Sequence, residues 1–300
     1  MPKFVTANLS NNAEHCILRY TASDNEMLNI KAECFDAEIV LHTYNNGEGQ
    51  VIFNKQIRKI EIAFECCYSL KSITIPNGVT KIGDGAFYRC DSLISVIIPN
   101  SVTEIGDKAF SGCSSLSSIT IPDSVTEIGW GAFLGCYSLT SVIIPDSVTK
   151  ILNYAFEGCT KLTEITIPGS VTYIGREAFG GCSSLASLII PSSVTKIWVS
   201  AFEGCSSLAN ITIPNSVTEI GRNAFYRCSS LTRVTIGNSV TKIGDGAFYG
   251  CNSLQTIICK PTTPPTLGFG AFNGISSDAT IIIPEGCEEA YMNSEWRKVL

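Results

Sequence analysis

Three hundred residues carry a net charge of −6 with no run of Lys or Arg, which argues against a phosphate-tracking surface and against a nucleic-acid partner. No window approaches the roughly eighteen uninterrupted apolar residues of a membrane-spanning helix, and Met1 to Asn12 shows no apolar segment or cleavage signal of a secretory peptide. The 45% hydrophobic content beside 16% charged residues implies an ordered chain that sends many side chains inward.

Residues 1–55 follow no fixed period. Glu38 to Tyr44 and Gln50 to Phe53 are β-rich runs, and Asn45-Asn-Gly-Glu-Gly49 between them supplies residues that tolerate φ > 0, so a hairpin is expected. Val51 to Ile57 also aligns with Ile73 to Val79, which makes the second arm a first, degenerate copy of the repeat that fills the middle of the chain. The hairpin is expected to cap the end of a longer core.

Residues 56–259 form an array. Ala-Phe recurs from Ala86-Phe87 to Ala247-Phe248 at intervals of 23, an unbroken period that marks a solenoid. The copy from Leu116 to Cys136 shows its parts. In Ser118-Ile119-Thr120-Ile121 a period of two sends the Ile residues inward and Ser118 and Thr120 outward, as one strand of a parallel sheet. Pro122-Asp123-Ser124 turns the chain, with polar side chains able to bond back to the backbone. Val125 to Ile128 makes a second short extended side, Gly129 a second corner, and Ala132-Phe133 a brief helical or 3₁₀ turn. Each coil therefore has three sides.

Residues 260–300 let the period lapse. Lys260-Pro-Thr-Thr-Pro-Pro265 interrupts it, Thr280 to Pro284 offers one more strand, and Glu288 to Leu300 has acidic residues early and Arg297 and Lys298 late. That charge order suits a helix dipole, so a helix capping the last coil is expected.

Nine of the fourteen cysteines, from Cys67 to Cys251, fall on one repeat position 23 apart. Stacked coils bring them into a ladder of neighbours about 5 Å apart. In-register side chains point the same way and nine is odd, so a ladder of small buried hydrophobes is expected rather than disulfides. Spacing for zinc is absent. Cys16, Cys34, Cys66, Cys259 and Cys287 stand off the ladder.

The motif L-x-x-I-x-I-P-x-S-V-x-x-I-G-x-x-A-F-x-x-C, carried in one copy by Leu116, Ile119, Ile121, Val125, Ile128, Ala132, Phe133 and Cys136, resembles the BspA-like leucine-rich repeats of bacterial surface proteins, over residues 57 to about 285. The hairpin before the array and the Pro-rich segment after it also resemble that family's terminal elements. The resemblance implies a curved right-handed leucine-rich-repeat solenoid with a parallel sheet, short helical or 3₁₀ turns, an N-terminal hairpin cap and a C-terminal helical cap. It further implies a non-enzymatic role in adhesion to host or cell-surface protein or glycan, usually as an exported protein at the cell surface. The motif residues are structural, so no binding residue carries over.

A catalytic reading finds no support, because the two histidines, His15 and His42, lie in the cap outside any nucleophile or metal motif. The Ser residues belong to corners, and no glycine loop opens a helix after a strand to hold a phosphate. No enzyme and no cofactor is expected, and a monomer is.

Binding is expected where copies disagree. On the strand face Ile97, Ile143 and Ile189 point outward two coils apart, about 10 Å by strand spacing, as an apolar stripe. At the Gly corner, Leu152 and Trp198 replace glycine. If that corner needs φ > 0, a Cβ there costs about 1–2 kcal/mol. Trp130, Tyr154, Tyr173 and Trp198 fall near one another on the flank as a candidate aromatic patch. A spacer or scaffold domain, and an intracellular protein-interaction domain favoured by free thiols, remain alternative readings.

Overall fold

The computed structural model describes residues 16–299; His15 and the Met1 to Asn12 segment lie outside them. The chain is a curved stack of coils with three sides. The long strand side comprises short strands such as Leu70–Thr74, Ser95–Ile97, Ser141–Ile143 and Asn210–Thr212. Its pairs are parallel and shifted by 23 residues, as in Ser72 with Ser95 and Ile73 with Val96. A second side is a ladder of two-residue strands, from Lys59–Ile60 to Thr266–Leu267. The third side is a run of turns carrying Ala-Phe.

Burial explains why the repeat letters recur. In the copy from Leu116, the residues Leu116, Val125, Ala132, Phe133 and Cys136 are fully buried, with Ile119, Ile121 and Ile128 nearly so. Alternation on the strand side follows the period of two. The Phe column begins at Phe64, one coil before the first Ala-Phe used to set the period, and runs to Phe272. Its rings are nearly parallel with centroids 5.1 to 5.5 Å apart in early coils. Because equivalent rings are related by the coil translation, that spacing exceeds the 4.7–4.9 Å typical of hydrogen-bonded strands. The stack therefore bends with its strand side inward.

The ladder cysteines are free thiols. From Cys90 to Cys251 each is fully buried, and each donates its S–H to the carbonyl of the Phe 26 residues earlier, as Cys136 does to Phe110 at 3.2 Å. A small apolar side chain with one weak donor suits that position. Cys67 departs from the ladder: it is half-buried, and its thiol faces the Asn29 carbonyl at 3.9 Å, because the cap rather than a preceding coil covers it.

Several expectations need correction. The corner Ser residues from Ser101 to Ser216 bond to the previous coil rather than locally, as Ser124 Oγ does to the Val102 carbonyl at 2.6 Å, and Ser239 alone of the series bonds its neighbour Asn238. Ser118 to Thr120 alternates as expected but forms no ladder strand. Its coil is held where the segment starts, by Ser117 N–H on the Ile94 carbonyl, and by its buried Ile residues, while Pro122 removes a donor at its end. Where Pro is absent the strands lengthen to four residues, Arg233–Ile236 and Thr256–Cys259, and Lys260 N–H bonds the Ile236 carbonyl at 3.0 Å.

The cap contains a strand the sequence pattern did not reveal. β1 (Cys16–Ala22) lies antiparallel between the hairpin β2 (Ile39–Asn45) and β3 (Glu48–Phe53) on one side and Leu70–Thr74 on the other. The second hairpin arm is thus not the direct neighbour of the array. β1 supplies Leu18 and Tyr20 to the core, and Gly49 is required opposite Tyr20, whose ring occupies the space of any Cβ.

At the other end the expected single helix is two short pieces, α1 (Glu288–Met292) and a 3₁₀ turn over Glu295–Lys298. Ser294 interrupts them and caps the second by accepting the Trp296 N–H at 3.2 Å. Trp296 is fully buried on Phe272, ring centroids 5.4 Å apart, and its indole N–H bonds the Pro265 carbonyl at 2.8 Å. The Pro-rich interruption is therefore a receptor for the cap.

Candidate functional site

The strand face follows from the alternation: inward residues fill the core and outward ones are left to solvent. Ile97, Ile143 and Ile189 are 63%, 74% and 83% exposed. They stand among Ser, Thr and Asn, with the charged Glu164 and Arg233 on the same face, so each is a separate apolar projection on the ladder.

The Gly corner has a different origin from the one expected. Gly83, Gly106, Gly129, Gly175, Gly221 and Gly244 do not have φ > 0. They are required by close approach: a Cβ on Gly129 would lie 2.4 Å from the Gly106 carbonyl carbon, and one on Gly221 2.7 Å from that of Trp198. This approach lets each corner N–H bond the preceding coil, as in Gly129 to Ile105 and Gly221 to Ile197, both 2.8 Å.

Leu152 and Trp198 have that Cβ, and at both the bond is missing. Neither corner N–H reaches the equivalent carbonyl, of Ile128 or Ile174. Thr149 and Thr195 likewise lack the bond to the previous coil that Thr126 and Thr218 make at 2.9 and 3.0 Å. The second-side ladder breaks between Ile128 and Ile151 and narrows to the single pair Ile174 with Ile197. These are two seams in the stack.

The four flank aromatics sit across the seams. Trp130 and Tyr154 meet edge to face at 5.2 Å over the first, and Tyr173 and Trp198 at 5.3 Å over the second. Lys108 Nζ lies 4.6 Å from the Trp130 ring centroid and Lys196 Nζ 4.6 Å from that of Trp198. All four aromatics are half-buried. The structure brings them together as two pairs, and Tyr173 Oη donates to Asn153 Oδ1 at 3.3 Å between them.

His42 is paired with Tyr20, Oη to Nε2 2.8 Å, and burial lowers its pKa. Among the described residues no group of three His, Cys, Asp or Glu is placed to hold a metal ion, and no helix is long and apolar enough to cross a membrane.

Sequence reasoning passed over the turn-side flank. The residue after each Phe varies there, as Leu134, Glu157, Gly180, Glu203 and Tyr226, and that disagreement was the available signal.

The fold and its exposed ladder define a leucine-rich-repeat module. The chain matches the pattern of the BspA type leucine rich repeat region over residues 10–136, 59–186 and 172–294, and it belongs to that family. Comparison with curated proteins finds no match. Similar solved structures include a leucine-rich repeat protein from Bacteroides ovatus ATCC 8483, 28% identical over 83% of this chain and 71% of that one, TM-score 0.46. Another is the leucine-rich repeat protein of T. pallidum, 28% identical over 75% and 91%, TM-score 0.46. A leucine rich cell surface protein from Faecalibacterium prausnitzii A2-165 is 27% identical over 86% and 89%, TM-score 0.42.

Proposed function

We propose that this chain is a binding module of an exported or surface-displayed bacterial protein, which engages a protein or glycan of a host or another cell through its strand face. The observation that carries the reading is the Ile97, Ile143 and Ile189 stripe, exposed on alternate coils of a face otherwise built mainly from Ser and Thr, with Asn210, Glu164 and Arg233. The core requires no Ile at these positions, since Thr74, Thr120, Thr166 and Thr212 serve in the intervening coils. Water-facing Ile gains when covered, by about 1.5–3 kcal/mol per side chain. The Trp130–Tyr154 and Tyr173–Trp198 pairs brace the corner between the other two sides and serve as a separate, secondary anchor.

The test is biolayer interferometry of the intact chain against host extracellular-matrix proteins and cell-surface glycans. An Ile97→Ser, Ile143→Ser, Ile189→Ser variant is expected to lose binding by about tenfold or more, and a Trp130→Ala, Trp198→Ala variant by less. Equal binding by the Ile variant and the native chain would sink the strand-face assignment. Absence of binding to every surface would sink the module reading.

A further inference from the structure

We propose a second binding site on the turn-side flank, in a groove opened by Gly180 and lined by Ser200, that takes a neutral carbohydrate chain. It rests on the reading of the chain as a binding module but uses a face separate from the Ile stripe.

The groove exists because one copy omits a side chain. The residue after Phe is Glu157 in one coil and Glu203 two coils later, and Gly180 stands between them. The resulting space of about 820 Å³ runs from Glu157 to Tyr226 over a floor of Gly158, Gly181 and Gly204. That volume is within the range of small-molecule sites, roughly 300–1,000 Å³. Ser200 lines it and is only 5% exposed. Its hydroxyl has no hydrogen-bond partner among the described residues, whereas the corner hydroxyls of Ser124, Ser170 and Ser216 all bond a neighbouring coil. That hydroxyl is reached from the groove and offers a ligand's polar atom a donor and an acceptor.

Charge decides the class of ligand. The lining carries Glu157, Glu177 and Glu203 against Arg176, Arg222 and Arg227. A cation meets three guanidinium groups and an anion meets three carboxylates, so neither is selected. Only Arg176 and Glu177 pair with each other, at 2.9 Å. Glu157, Glu203 and Arg222 make no ion pair among the described residues, while the Arg227 guanidinium lies over the Tyr226 ring at 5.2 Å, which leaves two carboxylates and one planar donor fork unpaired in one groove. Burial, with Glu177 and Glu203 nearby, raises the Glu157 pKa against the opposing effect of Arg176, as expected of a carboxyl short of hydrogen-bond donors.

Little of the lining is apolar beyond Val199 and the wall made by Tyr226, so an aliphatic ligand has no seat. A peptide strand has none either, because the floor's main-chain donors are already spent between coils: Gly158 N–H on Gly180, Gly181 N–H on Glu203 and Gly204 N–H on Tyr226, at 2.7 to 2.8 Å. What remains are side-chain acceptors and donors, because Tyr226 is stacked on Tyr249 at 5.2 Å with the Arg227 guanidinium 5.2 Å from its ring centroid. Adjacent hydroxyls of a pyranose match these groups without adding charge.

The experiment presents the intact chain to an array of neutral hexose and N-acetylhexosamine oligosaccharides, with acidic oligosaccharides and Lys-rich and Glu-rich peptides beside them. Binding of a neutral oligosaccharide is expected. A Gly180→Leu variant should weaken it about tenfold or more, and Arg222→Ala with Glu203→Ala by a similar factor. Gly180 is not in a left-handed conformation, an added Cβ meets its nearest neighbour, the Glu177 carbonyl, at 3.4 Å, and Leu134 already fills the equivalent position two coils earlier. The variant should therefore melt with the native chain while its groove is filled. The Ile97, Ile143, Ile189 triple variant should keep the oligosaccharide.

Three results would overturn the site. One is retention of no neutral oligosaccharide, with strand-face binding intact, a result that leaves the module reading standing. The second is glycan binding lost in the Ile variant and unchanged in Gly180→Leu. The third is preference for a charged oligosaccharide or peptide that weakens with salt.

Discussion

Two sides of the coil meet the same two seams and respond differently. At the corner side, a Cβ at Leu152 or Trp198 removes the bonds to the preceding coil. On the turn side the Phe column crosses both places unchanged, with Phe133 and Phe156 at 5.3 Å and Phe179 and Phe202 at 5.5 Å. The thiol bonds also persist, Cys159 to Phe133 and Cys205 to Phe179, each 3.3 Å. Main-chain bonds there run to the following coil, as Phe133 N–H to Ala155 and Phe179 N–H to Ala201, both 2.9 Å. The core side therefore sets the stacking, and the corner side tolerates interruption.

The largest way to break that comparison is to attack the turn side with alkali. Burial raises the pKa of the ladder thiols above the ordinary 9.0, to about 12 for Cys159 and Cys251. The folded chain thus keeps protons that the unfolded chain releases. The stability these thiols contribute is complete below pH 9 and is lost as pH rises from 9 toward 12. Each buried thiol costs about 1.4 kcal/mol per pH unit in that window, and Cys90 to Cys251 act together. Unfolding under reducing conditions is expected between pH 9 and 11, followed by circular dichroism. A melting temperature flat across that range would contradict the buried-thiol ladder.

A smaller and local blow is Phe156→Ala. Phe156 is stacked between Phe133 and Phe179, at 5.3 and 5.6 Å, beside the Leu152 seam. Removing the ring costs about 3–5 kcal/mol. Because the corner there contributes no bonds, urea unfolding should split into two transitions. Phe87→Ala, at a coil whose Gly83 bonds Ile60 at 2.6 Å, should lose similar stability in one transition. Two transitions in both variants, or one in both, would remove the link between seam and cooperativity.

Converting an intact corner into a seam comes next. Gly129→Leu places a Cβ 2.4 Å from the Gly106 carbonyl carbon and should cost about 1–3 kcal/mol as overpacking. Amide exchange should accelerate at Gly129 and Thr126, whose bonds reach Ile105 and Thr103. Protection retained at both would mean that the glycine is not what the close approach requires.

The core was legible in the sequence because a solenoid repeats each buried contact every 23 residues. Ile119, Phe133 and Cys136 declared their burial by recurrence. Ile97, Ile143 and Ile189 declared their exposure by the period of two. What recurrence could not show was anything made once. β1 has no second copy, its alternating segment is short, and its antiparallel place between hairpin and array depends on long-range pairing. The halves of the C-terminal cap are set by Ser294 and by Pro carbonyls 30 and 31 residues away. Glycine at the corner was visible, but its reason was not: a requirement for φ > 0 and a requirement for close approach leave the same letter. The Leu152 and Trp198 departures were visible too, yet the Trp130–Tyr154 and Tyr173–Trp198 pairs that cross the seams emerge only in the fold.

The finest test of the comparison is Leu152→Gly, which should close a seam with almost no change in global stability. It allows two backbone bonds to form, from position 152 to Ile128 and from Thr149 to Thr126, each worth about 0.5–1.5 kcal/mol net. Against this, glycine costs about 0.5–1 kcal/mol in backbone entropy, and the half-buried Leu side chain gives up its own packing. These effects nearly cancel, so a melting curve is the wrong readout. Native-state amide exchange separates them, since the bond gain is local and the entropy cost is not. Protection should appear at residue 152 and at Thr149, while Gly175 N–H, bonded to Ile151 at 2.9 Å in the native chain, stays as it was. Unprotected amides at 152 and 149 in the variant would show that the seam is imposed from elsewhere, with Trp130 and Tyr154, wedged across the same gap, the next residues to truncate.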